Sequence, residues 1–390
     1  MFRIQTLNKI SPVGLELFPR DRYEVASDMP NPDAVLVRSA DMHNVEISSS
    51  VLAIARAGAG YNNIPVQRCS ERGVAVFNTP GANANAVKEL TLAALLIASR
   101  DIVGGINWTA SIAGGAEVPE LVEKEKARFT GPELRGKTLG VVGLGAIGVM
   151  VANDAASLGM EVTGYDPYIS VEAAWNLSRD VVRSDTLESL LAKSDYVTLH
   201  VPLGETTKGL LGAEKLRLMK KNARVINLSR NALVKDADII EALENGKLGA
   251  YVTDFPTAEL LICKKVICFP HLGASTPEAE DNCAAMAVKQ IMDYLETGTI
   301  RNAVNLPRCK LDQGAPYRLL VINKNIPNMV GQITTILAGA GINITDLINH
   351  HRDEYAYNII DTEQPVSGEA LEHIRQVGGI IRVRAIEGAR

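Results

Sequence analysis

The sequence predicts an α/β protein: two doubly wound parallel-sheet domains followed by a small α+β domain of ferredoxin-like order. Three observations lead there. From Met1 to about Ser99, short β-rich runs (IQTL, AVLVRS, VLAIARAG, VAVFNTP) alternate with polar or helical stretches at the spacing of β-α units. A second series opens at Lys137 with TLGVVGLG and continues through MEVTGYD, YVTLHVP, ARVINLS, GAYVTDF and VICFPHLG, each strand followed by a helical stretch. Near the end, RLLVIN, PNMVGQITTILAGAG, INITDLINHH, YAYNIID, GEALEHIRQVGG and IIRVRAI give the order β-α-β-β-α-β.

At 390 residues, 46% apolar and 22% charged, the chain is too long for a single core. The expected division is a first domain over residues 1–98 and 288–301, a nucleotide-binding domain over 99–287, a polar, irregular linker over 302–316 and a third domain over 317–390. The helical segment Thr276–Leu295 is placed to pack back on the first domain. Two crossings would then join the first two domains and leave a substrate cleft suited to hinge closure. In the third domain Met329, Ile333, Ile336, Leu337 and Ala340 share one helical face, with Pro327 near the helix start.

Charge and cysteine content exclude several classes. A net charge of −5, with basic and acidic residues interspersed, offers no field for phosphate polymers, so no nucleic acid partner is expected. Cys69, Cys263, Cys268, Cys283 and Cys309 are odd in number and lack paired CxxC spacing, which predicts reduced thiols and no metal site. The N-terminal MFRIQTLNKISPVGL has neither a sustained apolar core nor a small-residue cleavage site. The longest apolar run, Leu90 to Ala98, is far short of the roughly 20 residues a bilayer requires and should be a buried helix. A cytoplasmic location with no membrane partner is the expectation.

The cofactor signal is Gly143-Leu144-Gly145-Ala146-Ile147-Gly148. It follows the apolar strand TLGVV, opens the helix IGVMVANDAASLG and precedes a second strand that ends in Asp166. This Rossmann-like order uses glycines for the turn, for close approach of backbone to pyrophosphate and for helix–strand packing, while the helix N-terminus favours the phosphate charge. Asp166, about twenty residues on, suits the adenosine ribose hydroxyls and repels a 2′-phosphate. Pro167 and Tyr168 follow it in place of an arginine, so NAD is expected over NADP.

Three further strand ends carry polar groups at the sheet edge where such folds bind ligands. Asn227-Leu228-Ser229-Arg230 follows RVI, Asp254 and Glu259 follow AYVT, and His271 follows VICFP. Oxidation of a hydroxy acid requires a base for the hydroxyl proton and a cation for the carboxylate. Histidine suits the first because it titrates near neutrality, and arginine the second through its two-pronged geometry. A carboxylate beside the histidine would orient it and favour its protonated form; Glu259 is the candidate.

These residues carry a resemblance. VRSA, RAGAGYNNI, RGVAVFNTPGAN, ELRGKTLGVVGLGAIG, GYDPY, LHVPL, NLSRNALV, YVTDFP and PHLGAST together resemble the D-isomer-specific 2-hydroxyacid dehydrogenases. The resemblance implies that Arg230 binds the substrate carboxylate and carbonyl, that His271 is the acid-base, and that Glu259 is its paired acid. It also implies that Asp254 contacts the nicotinamide amide, with Leu228, Ser229, Gly273 and Ala274 beside the cofactor. The usual DVFxxEP reads TDFPTAEL here, a departure that falls on the acid.

The backbone amides of Gly58, Ala59 and Gly60 are implied to receive the carboxylate, with Asn83 nearby and Arg38 and Arg56 placed for a phosphate. PHLGAST and the C-terminal segment point to the branch of the family that oxidises 3-phosphoglycerate, the first step of L-serine biosynthesis. The tail resembles an ACT domain, a module that in this family can bind serine between subunits. Asn325 and Asn343 match its effector positions, while Asn323 and Asn328 replace the usual histidine and glycine. A homo-oligomer, dimer or tetramer, is implied. Two alternatives stay open: another dehydrogenase of the family acting on glycerate or hydroxypyruvate, glyoxylate or D-lactate, and an NAD-sensing binding protein on the same fold.

Overall fold

A computed structural model describes residues 1–312 and 314–387. Gln313, within the expected linker, and Gly388, Ala389 and Arg390, at the end of the expected third domain, lie outside the described residues. The chain separates into two compact units, Met1–Asn83 with Pro277–Arg390, and Ala84–Thr276.

In the first unit β1 (Phe2–Leu7), β2 (Tyr23–Ala26), β3 (Ala34–Val37), β4 (Ala53–Arg56) and β5 (Ala75–Phe77) form a parallel sheet in the order β2-β1-β3-β4-β5. β3 and β5 are buried throughout, as expected of parallel strands covered on both faces. β2, with the sequence YEVA, has too short and too polar a pattern to be read in advance.

The second unit holds β6 (Thr138–Val142), β7 (Glu161–Tyr165), β8 (Val181–Arg183), β9 (Tyr196–Leu199), β10 (Ala223–Asn227), β11 (Leu248–Thr253) and β12 (Val266–Cys268). All are parallel, in the order β12-β11-β10-β9-β6-β7-β8. The order reverses at β6, which pairs with β7 on one side and β9 on the other. That reversal opens a crevice at the carboxyl edge.

The unit boundaries differ from the expected 98/99 and 287/288. The helix Ala84–Ser99 buries Val87, Thr91, Ala94, Leu95 and Ala98. Ala94, Leu95 and Ala98 join a core with Val141, Val151 and Ile226 of the second unit, so the break comes before this helix. The helix Pro277–Thr297 buries Cys283, Ala284, Ala287, Val288 and Ile291 against Leu36, Ala55 and Phe77 of the first unit, so it belongs there from its first residue.

At the C-terminal end of the first unit lie β13 (Tyr317–Lys324), β14 (Ile344–Arg352), β15 (Tyr355–Thr362) and β16 (Ile380–Glu387), antiparallel in the order β14-β15-β13-β16. One face, with Leu319, Val321 and Ile360, packs on Ile333 and Leu337 of the helix Met329–Gly339 and on Ile374 of the helix Gly368–Gln376. The other, with Leu320, Ile322, Tyr357 and Ile359, joins Phe77, Tyr294, Leu295 and Ile300 in one continuous core. The alternation of strand side chains thus buries both faces.

The stretch read as a linker is built in. Ala303, Asn305, Leu306 and Cys309 are buried, and Val304 donates to the Val76 carbonyl while Asn305 Oδ1 accepts from the Val76 amide at 2.9 Å. An asparagine that serves as an edge partner for β5 reads as polar loop in sequence, which is why the segment was misjudged.

The last carbonyls of the helix Pro277–Thr297 have no partners within it. Donors from the C-terminal sheet supply them: Arg318 Nη1 reaches the Thr297 carbonyl at 2.8 Å, Tyr357 donates to Gly298 at 2.7 Å, and Arg384 donates to Tyr294. Arg318 is buried and bound through two nitrogens to Asp361, its cross-strand neighbour, at 2.6 and 2.9 Å. Asp361→Asn removes the counter-charge from a buried guanidinium and is expected to cost about 3–5 kcal/mol. Replacing both partners by apolar residues should cost less. Urea unfolding measures this, and an Asp361→Asn protein as stable as wild type contradicts it.

Candidate active site

The glycine-rich turn leaves β6 with Gly143 at φ +91°, a conformation that L side chains rarely adopt, and a side chain there would meet the His200 carbonyl. At Gly148 a Cβ would lie 1.9 Å from the Gly143 carbonyl oxygen, so the helix Ala146–Ser157 approaches its own strand only because that atom is missing. Gly145, the residue before the helix, meets nothing within 4 Å and makes no side-chain cap. The first and third glycines are therefore required by protein contacts, and the second leaves open space at the start of a helix, where a pyrophosphate fits.

Asp166 follows β7 and accepts from the Leu144 amide at 2.8 Å and the Tyr168 amide at 2.8 Å. The carboxylate thus holds the turn and retains lone pairs for ribose hydroxyls. His200, after β9, is kept neutral beside this turn, burial pushing its pKa down to about 4.

The strand ends after β10, β11 and β12 converge on Asp254. This residue is 1% exposed; its Oδ2 accepts from the Gly273 amide at 3.4 Å and its Oδ1 is buried without a hydrogen-bond partner among the described residues. Burial raises its pKa, and the charges of His271 and Arg230, with the Gly273 amide, oppose the rise. One buried carboxylate therefore senses two of the three residues expected to do the chemistry. A free buried acceptor is unstable unless a donor reaches it, and a carboxamide NH₂ is a donor of the right kind.

Arg230 is presented by a latch. Asn227 Oδ1 accepts from the Ser229 amide, and its Nδ2 donates to the Arg230 carbonyl at 2.9 Å. Ser229 Oγ donates to the Leu199 carbonyl at 2.6 Å, and Leu228 is buried. The Arg230 guanidinium is exposed and, among the described residues, donates only to the Ser229 carbonyl. His271 is exposed, its ring tilted against Phe255 with centroids 4.7 Å apart. Phe255 was not singled out from the sequence, although it sits in the same TDFP segment.

Glu259 lies in the first turn of the helix Ala258–Ile262, exposed, with no hydrogen bond or ion pair among the described residues. The carboxylate on which the charge of His271 acts is the buried Asp254. The shift from DVFxxEP to TDFPTAEL therefore falls where the structure differs from expectation. Ala274 is half-buried next to Gly273.

In the first unit Arg56 Nε donates to the Arg38 carbonyl at 3.0 Å, and Gly58 leaves room for the Arg56 guanidinium, which a Cβ would meet at 2.2 Å. The Gly58 amide is already bound to the Arg56 carbonyl, so of the three expected anion donors Ala59 and Gly60 remain, with the Ala59 carbonyl fixed by Asn78. Arg38 pairs with Glu280 at 2.7 Å, a partner the sequence did not announce, and its guanidinium holds that carboxyl below its ordinary value. Asn83 is half-buried.

Asn325 follows β13, where its amide donates to the Glu354 carbonyl; Asn343 precedes β14, where its carbonyl accepts from the Glu363 amide. The register sets these at opposite ends of the sheet, about 30 Å apart at ~3.4 Å per residue. Within one chain they do not form one site. Among the described residues no cluster of His, Cys, Asp or Glu could hold a metal ion, and no helix is long and apolar enough to cross a membrane.

Residues 92–273 match the D-isomer specific 2-hydroxyacid dehydrogenase, NAD binding domain. The second unit belongs to this dehydrogenase family. Its cofactor is NAD, and the open space at Gly145, the remaining acceptor capacity of Asp166 and the free Asp254 oxygen fit that molecule.

The chain is similar to D-3-phosphoglycerate dehydrogenases, 36% identical to that of Methanocaldococcus jannaschii over 83% of this chain and 61% of that protein. It is 33% identical to that of Bacillus subtilis over 82% of this chain and 62% of that protein. The chain thus spans about three fifths of the length of these relatives. Among solved structures, an NAD+-bound 3-phosphoglycerate dehydrogenase of Entamoeba histolytica aligns over 78% of this chain and 98% of its own, with 26% identity and a TM-score of 0.60. A Thermus thermophilus protein aligns over 78% of this chain and all of its own, with 27% identity and a TM-score of 0.64.

The dehydrogenase glycines give a paired prediction. Gly145→Ala should fold as wild type yet lose NADH affinity by about tenfold or more, since the methyl group occupies phosphate space. Gly148→Ala should lower the melting temperature as well. Equal NADH affinity in Gly145→Ala, by fluorescence titration, contradicts the assignment.

Proposed function

We propose that the protein oxidises 3-phospho-D-glycerate to 3-phosphohydroxypyruvate with NAD, opening L-serine biosynthesis. The observation that carries this reading is the convergence of Arg230, Asp254 and His271 at the carboxyl edge of an NAD-binding sheet. The similarity to D-3-phosphoglycerate dehydrogenases supports the choice of substrate.

Bound NAD supplies the hydride acceptor. Arg230 holds the substrate carboxylate and polarises the oxygen on C2, and His271 takes the hydroxyl proton as C2 is oxidised. Asp254 keeps the imidazolium so formed in a favourable field and offers its free oxygen to the nicotinamide amide. Phe255 limits the swing of the imidazole. The phosphate is assigned to Arg38 and Arg56, with Glu280 giving up its hold on Arg38 when substrate binds, and the carboxylate to the Ala59 and Gly60 amides. Asn83 is assigned to the same substrate.

Activity measured with NAD over a substrate panel tests the reading. A strong preference for 3-phosphoglycerate is expected, with kcat in His271→Asn lower by about 10² to 10⁴-fold and NADH binding retained. Equal turnover of D-glycerate or D-lactate favours another member of the family, and tight NADH binding without any turnover favours a sensor. Serine, added to the same assay, is expected to inhibit; no inhibition and no serine binding removes the effector role of Asn325 and Asn343.

A homo-oligomer is part of the proposal, because the helix Ile102–Ser111, IVGGINWTAS, buries none of its residues and leaves Ile106 64% exposed. A second copy covering that face, and a serine site drawing Asn325 and Asn343 from two chains, are consistent with this. Sedimentation velocity should show a dimer or tetramer that Ile106→Glu weakens; a wild-type monomer contradicts it. A cytoplasmic location fits five cysteines without a disulfide.

A further inference from the structure

We propose that the C-terminal sheet carries a second anion site, separate from the dehydrogenase chemistry, in which Arg308, His350 and Arg352 bind a small dianion of phosphate or carboxylate type. An open pocket of about 460 Å³ lies at the end of the edge strand β14, lined by Pro307, Arg308, Asn349, His350, His351 and Arg352. Strand alternation puts His350 and Arg352 on one face, level with Tyr357 and Tyr355 of β15.

Both side chains are anchored to the segment that leads into the sheet. His350 Nδ1 bonds to the Arg308 carbonyl at 2.9 Å, and Arg352 Nη1 donates to the Ala303 carbonyl at 2.9 Å. A carbonyl can only accept, so Nδ1 carries the proton, and Nε2 donates to an anion when the anion brings a second proton to the ring. Arg352 spends one of its five N–H donors on that contact, and the Arg308 side chain spends none among the described residues.

The charge balance points to an anion. Elsewhere in the same unit Arg22 pairs with Glu296, Arg38 with Glu280, Arg301 with Asp293 and Arg318 with Asp361. Among the described residues Arg308, His350, His351 and Arg352 have no carboxylate partner, although the chain carries 45 acidic residues against 40 lysines and arginines. The two guanidiniums of Arg308 and Arg352, held next to one another without a counter-charge, repel, and a dianion that bridges them relieves the repulsion through charge-assisted bonds. Because two of the three groups are already tied down, binding costs little further side-chain entropy. Asn325 and Asn343, the candidate effector residues, do not line this pocket.

Calorimetric titration of the full-length protein with inorganic phosphate, and separately with succinate, tests the proposal. In protein saturated with NADH, which fills the phosphate space at Gly145, the double variant Arg38→Ala, Arg230→Ala removes anion binding at the substrate loop and at the edge of the nucleotide sheet and should leave one component. Arg308→Glu should weaken that component at least about tenfold, matching the loss of a charge-assisted bond, and His350→Gln should weaken it less. Whichever anion binds more tightly identifies the source class. No heat from either anion, or equal binding in wild type, Arg308→Glu and His350→Gln, overturns the site. Since the readout is binding, failure of the 3-phosphoglycerate reading leaves this result standing.

Discussion

A carboxylate taken out of water, with one oxygen satisfied by a backbone amide and the other by nothing among the described residues, is the constraint around which the second unit is arranged. Burial favours the neutral form of Asp254; the charges of His271 and Arg230 and the Gly273 amide favour the ionised one. Neither arginine nor histidine would serve this purpose alone, because each is exposed and can turn toward solvent. What fixes the balance is the parallel sheet, which delivers the ends of β10, β11 and β12 to the same edge as the glycine-rich turn. The unsatisfied oxygen is then a vacancy for a donor brought by a ligand, a more specific statement than the presence of an acid in a motif.

The same edge depends on close packing that leaves no slack. Gly148 lets the first helix of the nucleotide fold lie against the Gly143 carbonyl, and Asp166 closes the turn through the Leu144 amide. In the first unit the corresponding economy is at the other end of a helix: the last carbonyls of Pro277–Thr297 are completed by Arg318, Tyr357 and Arg384 of the C-terminal sheet. That sheet therefore shares a core with the domain before it, and its buried Arg318–Asp361 pair is tolerated because each guanidinium nitrogen has an acceptor.

Much of this was legible in the residue order. Long apolar strands followed by glycine turns announce a parallel sheet, and Gly143, Gly145, Gly148 and Asp166 announce a dinucleotide because each has a distinct steric or hydrogen-bonding task. Short polar edge strands such as YEVA and VVR were not legible, since they have too few residues to show a period. The 302–316 segment failed for a different reason: Asn305 acts as a surrogate backbone for β5, and a side-chain amide in that role is written like a loop. Glu259 is the acid that the resemblance implies, and residue order cannot say that it lies exposed while Asp254 is buried in the field of His271. Glu280, four residues into a helix, gave no sign that it would meet Arg38, a contact set by tertiary packing.

The central claim is that Asp254, and not Glu259, is the acid that acts on His271. The pH dependence of kcat/KM for Asp254→Asn and Glu259→Gln tests it most directly. An ionised carboxylate favours the imidazolium, so its removal should move the rise of kcat/KM with pH to lower pH. The account predicts that shift in Asp254→Asn and a wild-type profile in Glu259→Gln. A shift in Glu259→Gln with none in Asp254→Asn would contradict it.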